Sequence, residues 1–79
     1  MKRIQKSDLP KTKKWVDQWG THYQKDFPNG WYATRSKGYG LSSKWELFND
    51  EDVWVGDSRA LQDLINLYNG WMYFNSKRK

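Results

Sequence analysis

Fourteen of the 79 residues are aromatic, six of them Trp, in a chain whose hydrophobic fraction is only 37%. A chain of this length buries only roughly 60–65% of the surface that its unfolded form exposes, so its core must be dense. Each large ring can bury about 150–250 Å². Rings must therefore do much of the packing that Leu and Ile do elsewhere. Such a composition also argues against disorder, because disordered chains are poor in aromatics.

The absence of Cys excludes a disulfide scaffold and thiolate zinc sites. No apolar run approaches the about 18 residues that a membrane span needs, and no signal peptide opens the chain. The expectation is a soluble, cytoplasmic protein. Its organisation reads as a basic arm over residues 1–6, a single domain over 7–75 and a basic tail over 76–79.

The net charge of +5 hides a strong asymmetry. Residues 1–14 carry six Lys or Arg against Asp8 alone, while residues 45–76 carry Arg59 against six carboxylates. Lys77, Arg78 and Lys79 close the sequence. A basic N-terminal half and basic tail thus frame an acidic C-terminal half, and such a layout points to polyanion contact by one part of the surface.

The local signals predict the order α-β-β-β-α. Ser7-Asp8-Leu9-Pro10 reads as a helix start. Leu9, Thr12, Val16, Trp19 and Tyr23 recur at helical steps, which predicts a first helix from about Leu9 to Trp19 with Gly20 after it. Phe27-Pro28-Asn29-Gly30 is turn chemistry. Strands are predicted over 31–36, 44–48 and 53–55, with a mobile loop over 37–43 and an acidic turn over 49–52. Asp57 or Ser58 reads as the cap of a second helix, whose Leu61, Leu64, Ile65 and Tyr68 form a full apolar stripe. Asn69-Gly70 reads as its end, and Trp71 to Phe74 as a closing segment or fourth strand, the alternative being that it folds over the outer face of the sheet. The fold class is α+β: a three-stranded antiparallel sheet with two helices on one face.

Groups suited to catalysis are scarce. His22 is the only histidine, so two-histidine metal sites and Cys–His pairs are impossible. A Ser–His–Asp set is formally available through His22, but no G-x-S-x-G motif occurs. His22 reads as a surface or loop residue after Gly20. Asp50-Glu51-Asp52 lacks the spacing of a calcium loop, and Gly38-Tyr39-Gly40 lacks the lysine of a phosphate loop. No enzyme activity, metal or cofactor is expected.

Binding is the better prospect. If Trp31, Ala33, Trp45, Leu47, Val53 and Val55 face the helices, alternation turns Tyr32, Thr34, Lys44, Glu46, Phe48 and Trp54 outward. Arg35 and Lys37 are then expected near the rim of that face, with Tyr39 in the loop beside it. Rings beside cations can stack bases and neutralise phosphates. Lys2, Arg3, Lys6, Lys11 and Lys14 form a second basic feature along the arm and first helix, suited to sequence-independent phosphate contact.

The order α-β-β-β-α resembles that of the double-stranded-RNA-binding domain, although here Asp57-Ser58-Arg59 stands where that family has a lysine-rich helix start. Residues 31–69 look like the three-strand-plus-helix module of AP2-type and integrase arm-binding domains. That resemblance implies a sheet that enters a DNA groove, with Arg35, Lys37 and Lys44 at the matching positions. Two functions are weighed: a non-catalytic nucleic-acid-binding domain, and a small protein-binding regulator or inhibitor of the type mobile elements and phages encode. The second would use Trp and Tyr anchors and the acidic half.

Overall fold

The computed structural model describes residues 3–38, 40 and 43–77, with side chains through Phe74. Five strands run in order: β1 (Lys13–Asp17), β2 (Gly20–Asp26), β3 (Tyr32–Gly38), β4 (Trp45–Phe48) and β5 (Trp54–Ser58). A single helix, α1 (Leu61–Lys77), follows them. Each strand pairs antiparallel with its neighbour in sequence, so the sheet is a meander. Short 3-10 turns occupy Lys6–Asp8 and Pro28–Gly30. This corrects the expected three-stranded sheet with two helices.

The N-terminal helix is replaced by a hairpin. Pro10 lies just before β1, and Trp15 and Val16 favour an extended backbone. The Asp17 carboxylate accepts the Trp19 N–H at 2.9 Å, which fixes a two-residue turn and brings Asp17 opposite Gly20. The helical spacing of Val16 and Trp19 does not mark a buried stripe: they are 70% and 60% exposed. Gly20, at φ 138°, lies opposite Gly38, at φ 158°. A Cβ on Gly20 would run into the Lys37 carbonyl, and one on Gly38 into the Trp19 carbonyl. Two glycines therefore let the hairpin tip close against the end of β3.

The C-terminal half is also redrawn. Gly56, Asp57 and Ser58 belong to β5, and the Ser58 hydroxyl donates to Asp63 at 2.6 Å while accepting the Ala60 N–H. The helix does not stop at Asn69-Gly70, and Trp71 to Phe74 form neither a strand nor a cover for the outer face. The Asn69 side chain is used otherwise. It accepts the Ile4 N–H at 2.9 Å and donates to the Ile4 carbonyl at 3.0 Å, tying the arm down in the manner of a strand partner. Gly70 in a helix interior costs about 1 kcal/mol relative to Ala. Trp71, 6.5 Å from Trp31, and Met72 add packing beyond it that offsets this cost.

The stripe Leu61, Leu64, Ile65 and Tyr68 is buried against Trp31, Ala33, Trp45 and Leu47, with Leu9 and Phe27 completing the core. Ala33 pairs with Leu47, and Leu47 with Gly56, so one sheet face carries this core. Four of its ten buried hydrophobics are rings, as the composition demanded. Four Trp, however, remain well exposed: Trp15, Trp19, Trp54 and Trp71. The chain has more rings than its core uses.

Candidate functional site

Helix α1 packs on β4 and β5 and covers Ala33 near the start of β3, whereas β1, β2 and the far end of β3 extend past it. Strand pairing lines up Lys14, Tyr23 and Arg35 in one row on the helix side of the sheet, with Val16, Thr21 and Lys37 in the next row. The Lys14 ammonium lies 5.9 Å from the Tyr23 ring centre and that of Lys37 lies 6.0 Å from it. The Tyr23 ring in turn stands 6.4 Å from Trp45. Three cations thus converge around one half-buried tyrosine. Lys25, whose stem is buried on the same side, adds a fourth.

No carboxylate occupies this side of β1, β2 or β3, because Asp17 and Asp26 sit at alternate positions and point the other way. The Arg35 Nε is buried and has no hydrogen-bond partner among the described residues. Buried donors are normally satisfied. The crowded like charge of Lys14, Arg35 and Lys37 around Tyr23 is relieved by a bound anion.

The opposite face is chemically different. It carries Lys13, Trp15 and Asp17 on β1, His22, Gln24 and Asp26 on β2, Tyr32, Thr34 and Ser36 on β3, then Glu46, Phe48, Trp54 and Asp57. Asp26 accepts from Gln24 at 2.8 Å and pairs with Lys13 at 3.1 Å. The Gln24 hydrogen bond and the Lys13 charge hold its pKa below the ordinary carboxylate range. The Tyr32 hydroxyl donates to Asp52 at 2.9 Å, and that bond, with burial and the carboxylate charge, pushes its pKa up.

His22 is not a loop residue but the centre of a cross-strand chain. Its Nε2 contacts Asp17 and its Nδ1 contacts the Ser36 hydroxyl, each at 2.8 Å, and Trp15 stacks over its ring at 5.5 Å. An ionised Asp17 only accepts, so Nε2–H donates to it. The chain braces β1, β2 and β3. The His22 bond and the Trp19 N–H lower the Asp17 pKa. A depressed folded-state value means stabilisation that is present above the unfolded value and lost as pH falls through the folded one. The thermal midpoint is therefore expected to drop as pH is lowered below about 4. An Asp17→Asn variant should show a shallower drop, read from melting curves at a series of pH values.

The sequence-predicted residues are separated by this architecture. Lys14, Arg35 and Lys37 come together on the helix side. Tyr32 and Trp54 lie on the other side, so the expected face mixing these rings with Arg35 and Lys37 does not form. Arg3 and Lys6 line a groove of about 540 Å³ with Gln62, Asn66 and Asn69 of α1. Lys11 is exposed before β1, and Lys44 immediately precedes β4. Lys2 and Tyr39 lie outside the described residues. Tyr23 was missed because it read as part of an apolar helical stripe, and Lys25 because no strand was expected where β2 runs. Among the described residues no group of three or more His, Asp or Glu is placed to hold a metal ion, and no helix is long and apolar enough to cross a membrane.

Comparison with models of known protein families, with curated proteins and with solved structures finds no match to this chain.

Proposed function

We propose that this protein is a non-catalytic nucleic-acid-binding domain whose contact surface is the helix-side face of β1, β2 and β3. The observation that carries this reading is a face with Lys14, Arg35 and Lys37 around Tyr23, free of carboxylates. Lys and Arg contacts to phosphate give affinity without sequence selectivity. The three strands span about 10 Å between the outer two, comparable with the about 12 Å width of a B-DNA major groove. Tyr23 is flanked by the ammonium groups of two lysines and stands against Trp45, so it supports phosphate contact more than base stacking.

The test is a titration of the pure protein with random duplex DNA, single-stranded DNA and structured RNA at several salt concentrations. Three phosphate contacts predict a slope of log K against log salt of about −2.7 on duplex DNA and about −2 on single strands. Absence of binding to all three at low salt would overturn the reading.

A further inference from the structure

The sheet face opposite α1 is left open by the described residues, and it is not a neutral surface. Tyr32 pairs with Phe48 and Phe48 with Trp54, so three rings form a row across β3, β4 and β5. Tyr32 and Phe48 are stacked at 5.2 Å and 15°, and Trp54, 54% exposed, ends the row. These are three of the rings that the buried core does not use.

In the adjacent row Glu46 pairs with Asp57. Like charges directly opposite each other on a sheet are unfavourable. No ion pair among the described residues involves either group. Asp17 and Asp26, on the same face, are already engaged by His22 and Lys13, and Lys13 is the one Lys or Arg that the five strands place on this side. Rows on one face lie about 7 Å apart along a strand. A cation stacked on the rings thus reaches the two carboxylates.

We propose that this face docks an arginine-bearing segment of a partner protein, with the guanidinium stacked on the Phe48–Trp54 end of the ring row and bonded to Glu46 and Asp57. Arginine fits better than lysine because its planar group stacks on aromatic faces and bonds carboxylates in a two-pronged manner. A nucleic acid does not fit, because its phosphates would meet carboxylates. The site shares no residue with the cationic cluster around Tyr23, so the two readings stand or fall separately.

The probe is an acetylated, amidated GRGRG peptide, titrated at low salt while amide and indole signals are followed by NMR, with a GKGKG peptide as comparison. The expected result is movement of the Glu46, Phe48, Trp54 and Asp57 signals, with the lysine peptide at least three-fold weaker. A Glu46→Gln, Asp57→Asn double variant should bind at least ten-fold more weakly, with a thermal midpoint unchanged or raised because the opposed charges are gone. Trp54→Ala should weaken binding comparably. Neutralising Lys14, Arg35 and Lys37 should leave peptide binding intact while lowering affinity for duplex DNA by about 10²–10³-fold. Unmoved signals on this face, or equal binding by the double variant, would overturn the proposal. So would movement of the same signals with protein concentration alone, which assigns the face to a second copy, or with added DNA or RNA.

Discussion

Truncating Tyr68 to Ala is expected to cost about 3–5 kcal/mol, a large share of the about 5–15 kcal/mol that holds a typical domain together. Tyr68 is 1% exposed. Its ring stands 5.2 Å from Trp31 in an edge-on contact and 5.4 Å from Phe27, so it joins α1 to the turn that links β2 and β3. Its hydroxyl accepts from the Asn29 amide at 3.0 Å. Removing the ring leaves a cavity between three elements that the rigid sheet cannot close. Tyr68→Phe should lose only about 1 kcal/mol or less, because Asn29 is exposed and water can replace its partner. Urea unfolding followed by circular dichroism measures both. An Ala variant with an unchanged midpoint would mean that α1 is not seated on this core.

Neutralising the cationic cluster is the second large effect. Changing Lys14, Arg35 and Lys37 together to Gln should lower affinity for duplex DNA by about 10²–10³-fold near 0.1 M salt, and flatten the salt slope by about 2.7. Stability should change little. The variant loses two cation–π contacts to Tyr23, each worth about 0.5–1 kcal/mol at exposed sites, but it also relieves like-charge crowding. Arg35→Lys alone separates geometry from charge: the slope should hold while affinity falls, because lysine lacks the planar fork. Unchanged affinity in the triple variant would move the interface elsewhere, the first alternative being the arm with Arg3 and Lys6.

The second helix and its core face were legible because Leu61, Leu64, Ile65 and Tyr68 satisfy one period and no other, and burial follows that pattern. The alternation of Trp31 with Tyr32 and of Trp45 with Glu46 was legible for the same reason. The first helix misled because Leu9, Thr12, Val16, Trp19 and Tyr23 fit a helical period while strand residues such as His22, Gln24 and Asp26 show no apolar alternation. One face of β1 and β2 is cationic and the other hydrogen-bonded, so hydropathy does not distinguish them. What decides for strands there is the Asp17 turn and the Gly20–Gly38 approach, and the latter joins residues that only the fold brings together. The split of the predicted site was available from parity. Arg35 and Lys37 share odd numbers with Ala33 on one strand, so they belong to its face and not to that of Tyr32. Asn69 was read as a terminator because its demand for partners is visible in a sequence, while Ile4, which meets that demand, lies 65 positions away.

The meander also has a kinetic meaning. Because every strand pairs with the one before it, the sheet assembles by successive hairpin closures, each a microsecond-scale event of about 1–10 μs, without the long loop closures that slow other β-rich topologies. The order in which the strands leave the ribosome is then the order in which they pair, and α1 emerges after the surface it must cover. The clamp of Asn69 on Ile4 departs furthest from this rule, because it closes nearly the whole chain. It forms only once sheet and helix have met. The arm is therefore the last piece to dock and the first to peel away, a latch whose opening leaves the five hairpin-linked strands in place.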